Sequence, residues 1–256
     1  MIKAIFFDVD GTLLSSKEGK IPQSALKALS LLKEQNILIF IASGRHKEEL
    51  GYLPLEGIAF DGYVTLNGQL CLDQDKNTLF GSPMDEADKT ILVELFNRNE
   101  VPLIIVEEQE LYINFIDDEV RRIQNIIHCP IPKVSTYRQG PIYQACAYID
   151  RSREPEIIGL FHHCKSARWN DSGIDIICSD SGKMRGIQKL LEHYQVQPSE
   201  IMAFGDAEND IDMLQYAQIG IAMGNAGREI KEIADYVTDS VDDDGIWNAL
   251  RHFNLL

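Results

Sequence analysis

Three runs of almost uninterrupted apolar residues, IKAIFF (2–7), ILIFIA (37–42) and IMAF (201–204), each give way at once to a short polar cluster. The clusters are DVDGT after the first, SGR (43–45) after the second and GDAEND (205–210) after the third. A strand that is apolar throughout, with no alternation, is buried on both faces, as in a parallel sheet covered by helices. Amphipathic stretches lie between the strands. SALKALSLLKEQ (24–35) sets Leu26, Leu29 and Leu32/Lys33 at helical spacing. MRGIQKLLEHY (184–194) puts Met184, Ile187, Leu190, Leu191 and Tyr194 on one helical face, IDMLQYA (211–217) reads as a helix, and IGIA (219–222) as another strand.

The middle of the chain reads differently. MDEADKTILVELFNRN is helical, PLIIVEE and ELYINF form a hairpin, and IDDEVRRIQNIIH is helical again. The strand IYQACAYID follows, then a helix around EPEIIGLFHHC and two short strands ending in IDIIC. Helices and antiparallel pairs grouped in this way form a compact α+β unit. The expected fold class is α/β, a doubly wound Rossmann-like parallel-sheet core formed by 1–82 and 183–256, with an α+β unit inserted at 83–182. GSPMDEAD and SDSGK supply the small and turn-forming residues that suit hinges near 82 and 182.

Ligands in open α/β sheets collect at the carboxyl ends of the strands, where the polar clusters lie. Asp8 and Asp10, at the end of an apolar strand, need either a cation or an exit to solvent. Asp8, Asp10 and Asp206 are hard oxygen donors that suit Mg²⁺, and the ion would offset their mutual repulsion. The Ser43 hydroxyl, the N–H groups around Gly44 and a helix N-terminus beyond them make an anion pocket. Lys183, just before the helix at Met184, adds a positive charge. A metal, an anion cradle and a carboxylate nucleophile are the equipment of phosphoryl transfer. Hydrolysis of a phosphate monoester needs accelerations up to about 10²¹-fold, whereas one oxyanion donor gives roughly 10²–10³-fold, so these groups must act together.

Composition narrows the partners. A net charge of −16 opposes nucleic acid and anionic membrane, but leaves room for a small anionic substrate met by a local cation. The longest apolar runs are strand-sized, so no membrane span is expected, and Asp8 and Asp10 interrupt any signal-peptide core. Five cysteines, at 71, 129, 146, 164 and 178, are odd in number and lack a CxxC pair, which suits a reducing cytoplasm.

Taken in order, DVDGTLL, Ser-Gly-Arg, the lysine and GDAENDIDML resemble the four motifs of the haloacid dehalogenase superfamily. The insertion between the second and third resembles the α/β cap of its Cof-type phosphatases (type IIB), and Asn67-Gly68, Gly186 and MGNA (223–226) resemble that subgroup as well. The resemblance implies a phosphatase of small phosphorylated metabolites, sugar phosphates or phosphorylated cofactors, working through an aspartyl-phosphate. Asp8 would be the nucleophile and Asp10 the general acid and then base. Asp8, the Asp10 carbonyl and Asp206 would hold Mg²⁺, oriented by Asn209 and Asp210. Ser43, Gly44, Lys183 and Asn209 would bind the phosphoryl group. Ser43 stands where threonine is also common. The cap reads as about a helix and a strand shorter than the usual pattern, so a relative's substrate does not transfer. A phosphomutase of the same superfamily and a non-catalytic metabolite-binding protein are the alternative readings.

Other features leave two readings open. Asn67-Gly68, between YVTL and QLCL, is a hairpin signal as well as a substrate-side position. Arg45 either reaches substrate or pairs with an acidic neighbour. His162-His163-Cys164 reads as a helix end rather than a metal site. Arg121 and Arg122, following DDE, read as a solvated charge set, and Arg168-Trp169 as a pair that could face the site.

Overall fold

The computed structural model describes residues 1–256 apart from 53, 55, 56 and 128. Its strands are β1 (Ala4–Phe7), β2 (Leu38–Ala42), β3 (Gly62–Thr65), β4 (Leu70–Asp73), β5 (Thr78–Gly81), β6 (Leu103–Val106) and β7 (Leu111–Ile113). They continue with β8 (Gln144–Ala147), β9 (Cys164–Asn170), β10 (Gly173–Cys178), β11 (Ile201–Gly205), β12 (Ile219–Ala222) and β13 (Tyr236–Val237). The helices are α1 (Gln23–Glu34), α2 (Lys47–Leu50), α3 (Glu86–Arg98), α4 (Asp118–Ile126), α5 (Glu154–Ile158), α6 (Lys183–Tyr194), α7 (Ile211–Tyr216), α8 (Arg228–Ile233) and α9 (Gly245–His252).

The first sheet has the order β13-β12-β11-β1-β2-β3-β4-β5. β1 lies between β2 and β11 and is parallel to both, pairing Ala4 with Leu38 and Ile201 and Phe7 with Ile41 and Phe204. The chain therefore leaves β1 toward one edge of the sheet and later returns on the other, and such a switch point is where ligands bind. Alternation of side chains explains why every residue of β1 is apolar. Ile5 and Phe7 join the layer under α1 and α9, with Ala25, Ala28, Leu29, Leu32, Ile246, Ala249 and Leu250. Ala4 and Phe6 join the opposite layer, with Ile187, Leu190 and Leu191 of α6, Met213 and Leu214 of α7 and Ile230 of α8. Phe6 stacks on Phe40 and Phe7 on Phe204, at 4.7 and 5.1 Å between ring centroids. The core is thus doubly wound. Its β3–β4–β5 edge is antiparallel, so the sheet is mixed rather than wholly parallel.

The strands between 103 and 178 form a sheet of their own, β7-β6-β8-β10-β9, whose pairings are antiparallel. One face carries Leu103, Ile105, Ala145, Ala147, Ile174 and Ile176 and is covered by Leu92, Leu95 and Phe96 of α3 and Ile157 of α5. The other face turns toward the core as a cap. Gln144 Nε2 donates to the Gly44 carbonyl at 3.1 Å, and His46 Nε2 lies 3.0 Å from the Glu108 carbonyl. The expected helix through EPEIIGLFHHC is shorter than its pattern suggests. α5 stops at Ile158 with Gly159 as its cap, and Cys164 opens β9. Among the described residues, no helix is long and apolar enough to cross a membrane.

Candidate active site

Because β1, β2 and β11 run parallel and in register, their carboxyl ends deliver Asp8, Ser43 and Asp206 to one edge of the sheet. The loop after β1 folds back through Gly11 at φ 85°, where a side chain would run into the Asp206 carboxylate. The glycine of DVDGT is what lets the first and last motifs meet. Thr12 Oγ1 donates to Asp206 Oδ1 at 3.0 Å, and Asn225 Nδ2 donates to Asp206 Oδ2 at 3.1 Å and to the Gly11 carbonyl at 2.9 Å. Asn225 is the asparagine of MGNA, which thereby acquires a structural reason.

Lys183, the first residue of α6, is fully buried, with Nζ 2.6 Å from both Asp8 Oδ1 and Asp210 Oδ1. Burial works against its charge, but Asp210 and Asp8 outweigh that and raise its pKa above the usual lysine value. Asp210 Oδ2 accepts the N–H groups of Asp206 and Ala207, each at 2.9 Å, so this side chain shapes the loop that carries Asp206. Asp8, Asp206 and Asp210 bring carboxylate oxygens within 4.8 Å of one another. One ammonium against three carboxylates leaves two negative charges uncompensated. Burial and the Asp210 charge accordingly hold the Asp8 carboxyl well above the usual range and push Asp206 up to about 7. An all-oxygen cluster short by two positive charges fits a divalent hard cation.

The Asp10 carboxylate is not part of that cluster. Arg45, itself buried, holds it with two hydrogen bonds, Nε to Oδ2 at 2.7 Å and Nη2 to Oδ1 at 2.6 Å. Arg45 also donates to the Ile127 carbonyl at 2.9 Å and to Cys129 Sγ, so it joins the core to the cap. Arg45 thus pairs with the acidic neighbour and also lines the cavity described below.

Ser43 is buried at the end of β2, and its Oγ accepts the Arg45 N–H at 3.2 Å. A Cβ on Gly44 would stand 3.0 Å from both the Asn67 amide and the Asp175 carboxylate, so any larger residue here would press those side chains back by a few tenths of an ångström. Asn67 and Gly68 do lie in the turn between β3 and β4, with Asn67 at φ 50° and Gly68 at φ 87°. Asn67 is also a junction. Its Oδ1 accepts from Asn209 Nδ2 at 3.1 Å, and its Nδ2 donates to Gln144 Oε1 at 3.0 Å and Asp175 Oδ2 at 2.7 Å. Asn67 is thus both a turn residue and a link between core and cap.

A cavity of about 310 Å³ joins these groups to the cap, with Asp8, Asp10, Ser43, Gly44, Arg45, Asp206 and Asn209 at one end and Trp169 and Tyr148 among its other lining residues. Trp169 lines the cavity, whereas Arg168 lies buried in an ion pair with Glu154 at 2.7 Å, so the Arg168-Trp169 pair splits between two environments. Arg122 pairs with Glu119, as the solvated set required. His163 meets Asp85 at 2.7 Å, and Asp88 accepts the N–H groups of His162 and His163 at 2.8 and 2.7 Å. These three side chains tie the start of α3 to the segment before β9.

Asp175 and Gln124 line the cavity and Gln144 donates to the Gly44 carbonyl beside it, and none of the three was singled out from the sequence. Asp175 accepts from Asn67, from Trp169 Nε1 at 3.1 Å and from Cys146 Sγ at 3.1 Å, and burial pushes it up to about 7. The strand pattern GIDIIC does mark it, since a carboxylate alternates there with isoleucines. A solvent-facing residue on a one-sided sheet gives the same pattern.

The family model of haloacid dehalogenase-like hydrolases matches residues 5–250. BT1666, a phosphatase of that superfamily from Bacteroides thetaiotaomicron, is 33% identical and superposes with a TM-score of 0.90, covering 100% of this chain and 96% of its own. The subclass IIB sugar phosphatase BT4131 is 31% identical with a TM-score of 0.91, over 99% of this chain and 100% of that one. The Bacillus subtilis protein YkrA is 30% identical over 258 residues, 99% of this chain and 98% of that protein. A longer relative from Streptococcus pyogenes, 29% identical, is matched over 54% of its own length. End-to-end coverage of BT4131 means that the cap is not shortened relative to that structure, contrary to the sequence reading. The chain belongs to the haloacid dehalogenase-like hydrolases, in their Cof-type subgroup with an α/β cap.

Proposed function

We propose that the chain is a Mg²⁺-dependent phosphatase of small phosphorylated metabolites, sugar phosphates or phosphorylated cofactors, that works through an aspartyl-phosphate on Asp8. One arrangement carries this reading. The buried Lys183 holds an oxygen of Asp8, which shares an oxygen cluster with Asp206 and Asp210 at the edge of a cavity closed by the cap.

In this reading Asp8 attacks phosphorus and displaces the substrate alkoxide, to which Asp10 gives a proton. Asp10 then takes a proton from water as the water attacks the aspartyl-phosphate, and inorganic phosphate leaves. Ser43, the Gly44 N–H and Lys183 bind phosphoryl oxygens, with Asn209 beside them. Mg²⁺, held by Asp8, Asp206 and the Asp10 carbonyl, would supply the positive charge that lets a carboxylate approach a phosphate dianion. Asp210 keeps the Asp206 loop and Lys183 in place. Arg45 aims Asp10, which must exchange one of its two hydrogen bonds to Arg45 before it can serve a leaving oxygen. A cytoplasmic setting belongs to the same reading and is supported by five cysteines present as free thiols.

The test is phosphate release from a panel of phosphorylated metabolites, with Mg²⁺ and with chelator. Release that requires Mg²⁺ is expected. Full turnover in chelator would remove the metal assignment, and an isomeric phosphosugar formed without free phosphate would replace hydrolysis by a mutase.

A further inference from the structure

We infer that the cap end of the cavity is a subsite for a planar ring bearing a hydrogen-bond donor. On this view the favoured substrate is a phosphomonoester whose leaving group carries such a ring; this rests on the phosphatase reading above.

Two aromatic side chains are held rigidly in this part of the cavity. Trp169 donates its Nε1–H to Asp175 at 3.1 Å and meets Tyr148 edge to face, at 6.4 Å between centroids and 89° between planes. Ile104, Ile126 and Ile127 add apolar lining. Rigid aromatic and branched walls favour a flat apolar face with little loss of side-chain freedom.

Among the polar groups of this lining, which include Asp175, Asn170, Cys146 and Glu49, Gln124 is the one described residue with a buried side-chain atom lacking a partner. Gln124, on α4, is 2% exposed, and its Nε2 donates to the Tyr148 hydroxyl at 2.8 Å. Its Oε1 is buried without a hydrogen-bond partner. Among the described residues, two other side-chain atoms share that condition, Arg168 Nη2 and Asp212 Oδ1. The first lies 2.7 Å from the Glu154 carboxylate, and neither residue lines the cavity. A desolvated amide oxygen is costly unless something donates to it. Because Gln124 lines the cavity, a small turn of its side chain would offer that oxygen to a ligand's N–H or O–H. A polyol fits less well, because most of its hydroxyls would lose water without gaining partners. Nearby Asn170 is already committed, its Oδ1 accepting the Ser172 N–H at 2.7 Å. The volume, about 310 Å³, is at the small end for ligand sites and suits one ring with its phosphate.

The test uses four alkyl phosphates: 2-(4-hydroxyphenyl)ethyl, 2-phenylethyl and 2-cyclohexylethyl phosphate, and glucose 6-phosphate. Their leaving groups are similarly basic, so differences in kcat/KM report recognition. The expected order is hydroxyphenyl, phenyl, then the other two. The hydroxyl should be worth at least about tenfold, one hydrogen bond's contribution, and that margin should vanish in Gln124→Leu. A flat series, or glucose 6-phosphate ahead of both aromatic esters, overturns the subsite while leaving the phosphatase intact. Turnover of none of the four, or of any other phosphomonoester, defeats the phosphatase reading instead.

Binding gives a readout independent of turnover. The chain has two tryptophans. In the Asp8→Asn, Trp247→Phe protein, emission comes from Trp169 alone. Saturable quenching by 2-(4-hydroxyphenyl)ethyl phosphate but not by glucose 6-phosphate is expected, and equal responses to both overturn the inference.

Discussion

Arg45 grips Asp10 at both carboxylate oxygens, at 2.7 and 2.6 Å, and with the same guanidinium reaches the Ile127 carbonyl beyond α4. The side chain proposed to handle the proton is therefore aimed by a residue that also touches the cap. A lysine cannot reproduce that fork, because its ammonium is a point charge. Arg45→Lys should therefore resemble Arg45→Ala more than wild type. Each should lower turnover of an alkyl phosphate by about 10²-fold, the scale of an ångström misplacement at a reacting group. An aryl phosphate, whose leaving group needs less protonation, should lose less. Steady-state kinetics on one ester of each kind checks this, and equal losses on both would separate Arg45 from the proton step.

Lys183 has no access to solvent and carries two buried carboxylates. Removing one member of such a set leaves uncompensated charge and typically costs about 3–5 kcal/mol. Lys183→Met should lower the urea midpoint correspondingly in metal-free buffer. Added Mg²⁺ should recover part of the loss, since a cation at the same cluster replaces some of the missing charge. A midpoint within error of wild type would mean that Asp8 and Asp210 are not held as the hydrogen bonds imply.

Much of this was legible because parallel strands in register leave little freedom. Once IKAIFF, ILIFIA and IMAF are read as neighbouring buried strands, Asp8, Ser43 and Asp206 must share an edge. The core's helices follow from 3.6-residue spacing, although the buried stripe of α1 is Ala25, Ala28, Leu29 and Leu32, with Leu26 only half-buried. The cap's share of the site was not legible. Asp175 and Gln144 alternate with apolar neighbours as solvent-facing residues would, and only docking of the cap on Gly44 buries them. Gln124 sits on a helix whose polar residues mostly face water, and nothing local marks one of them as turned inward. The proposed metal centre shows the same limit. Its carboxylates were evident, but the diversion of the Asp10 side chain to Arg45 depends on a contact 35 residues away.

Asp175 predicts a pH effect on stability. Burial raises its carboxyl to about 7 in the folded chain, against 3.8 as the ordinary value. Between those limits the folded state binds more protons than the unfolded state. Stability from this group is thus fully present below the lower value, falls as pH rises toward 7, and changes no further above it. The slope is on the order of 1 kcal/mol per pH unit inside the window. Asp8 and Asp206 slope the same way, so the comparison must be with Asp175→Asn, which removes this group's share alone. Urea midpoints of both proteins from pH 4 to 8 should converge in shape above 7 and differ in slope below it. Parallel curves throughout would mean that Asp175 ionises normally in the folded chain.

The two aspartates of FFDVDGTLL should fail in different ways. Asp8 follows β1 directly, is 5% exposed and is fixed by Lys183, so its carboxylate is aimed by packed structure. Asp10 lies in the loop, with its side chain 42% exposed and directed to Arg45. Asp8→Asn removes the nucleophile, and no phosphoenzyme should form with any ester. Asp10→Asn leaves its backbone carbonyl unchanged, so metal binding should survive. The defect should lie in proton transfer, about 10²–10⁴-fold on an alkyl phosphate. It should be smaller for formation of the phosphoenzyme from a nitrophenyl ester, whose leaving group departs without a proton. Breakdown of the phosphoenzyme still needs a base, so the acyl phosphate should accumulate in Asp10→Asn with the aryl ester. Rapid quenching into acid preserves that species and measures it directly. Phosphoenzyme in Asp8→Asn would show that the nucleophile is another residue. Equal slowing of both esters in Asp10→Asn, with no accumulation, would take the proton away from Asp10.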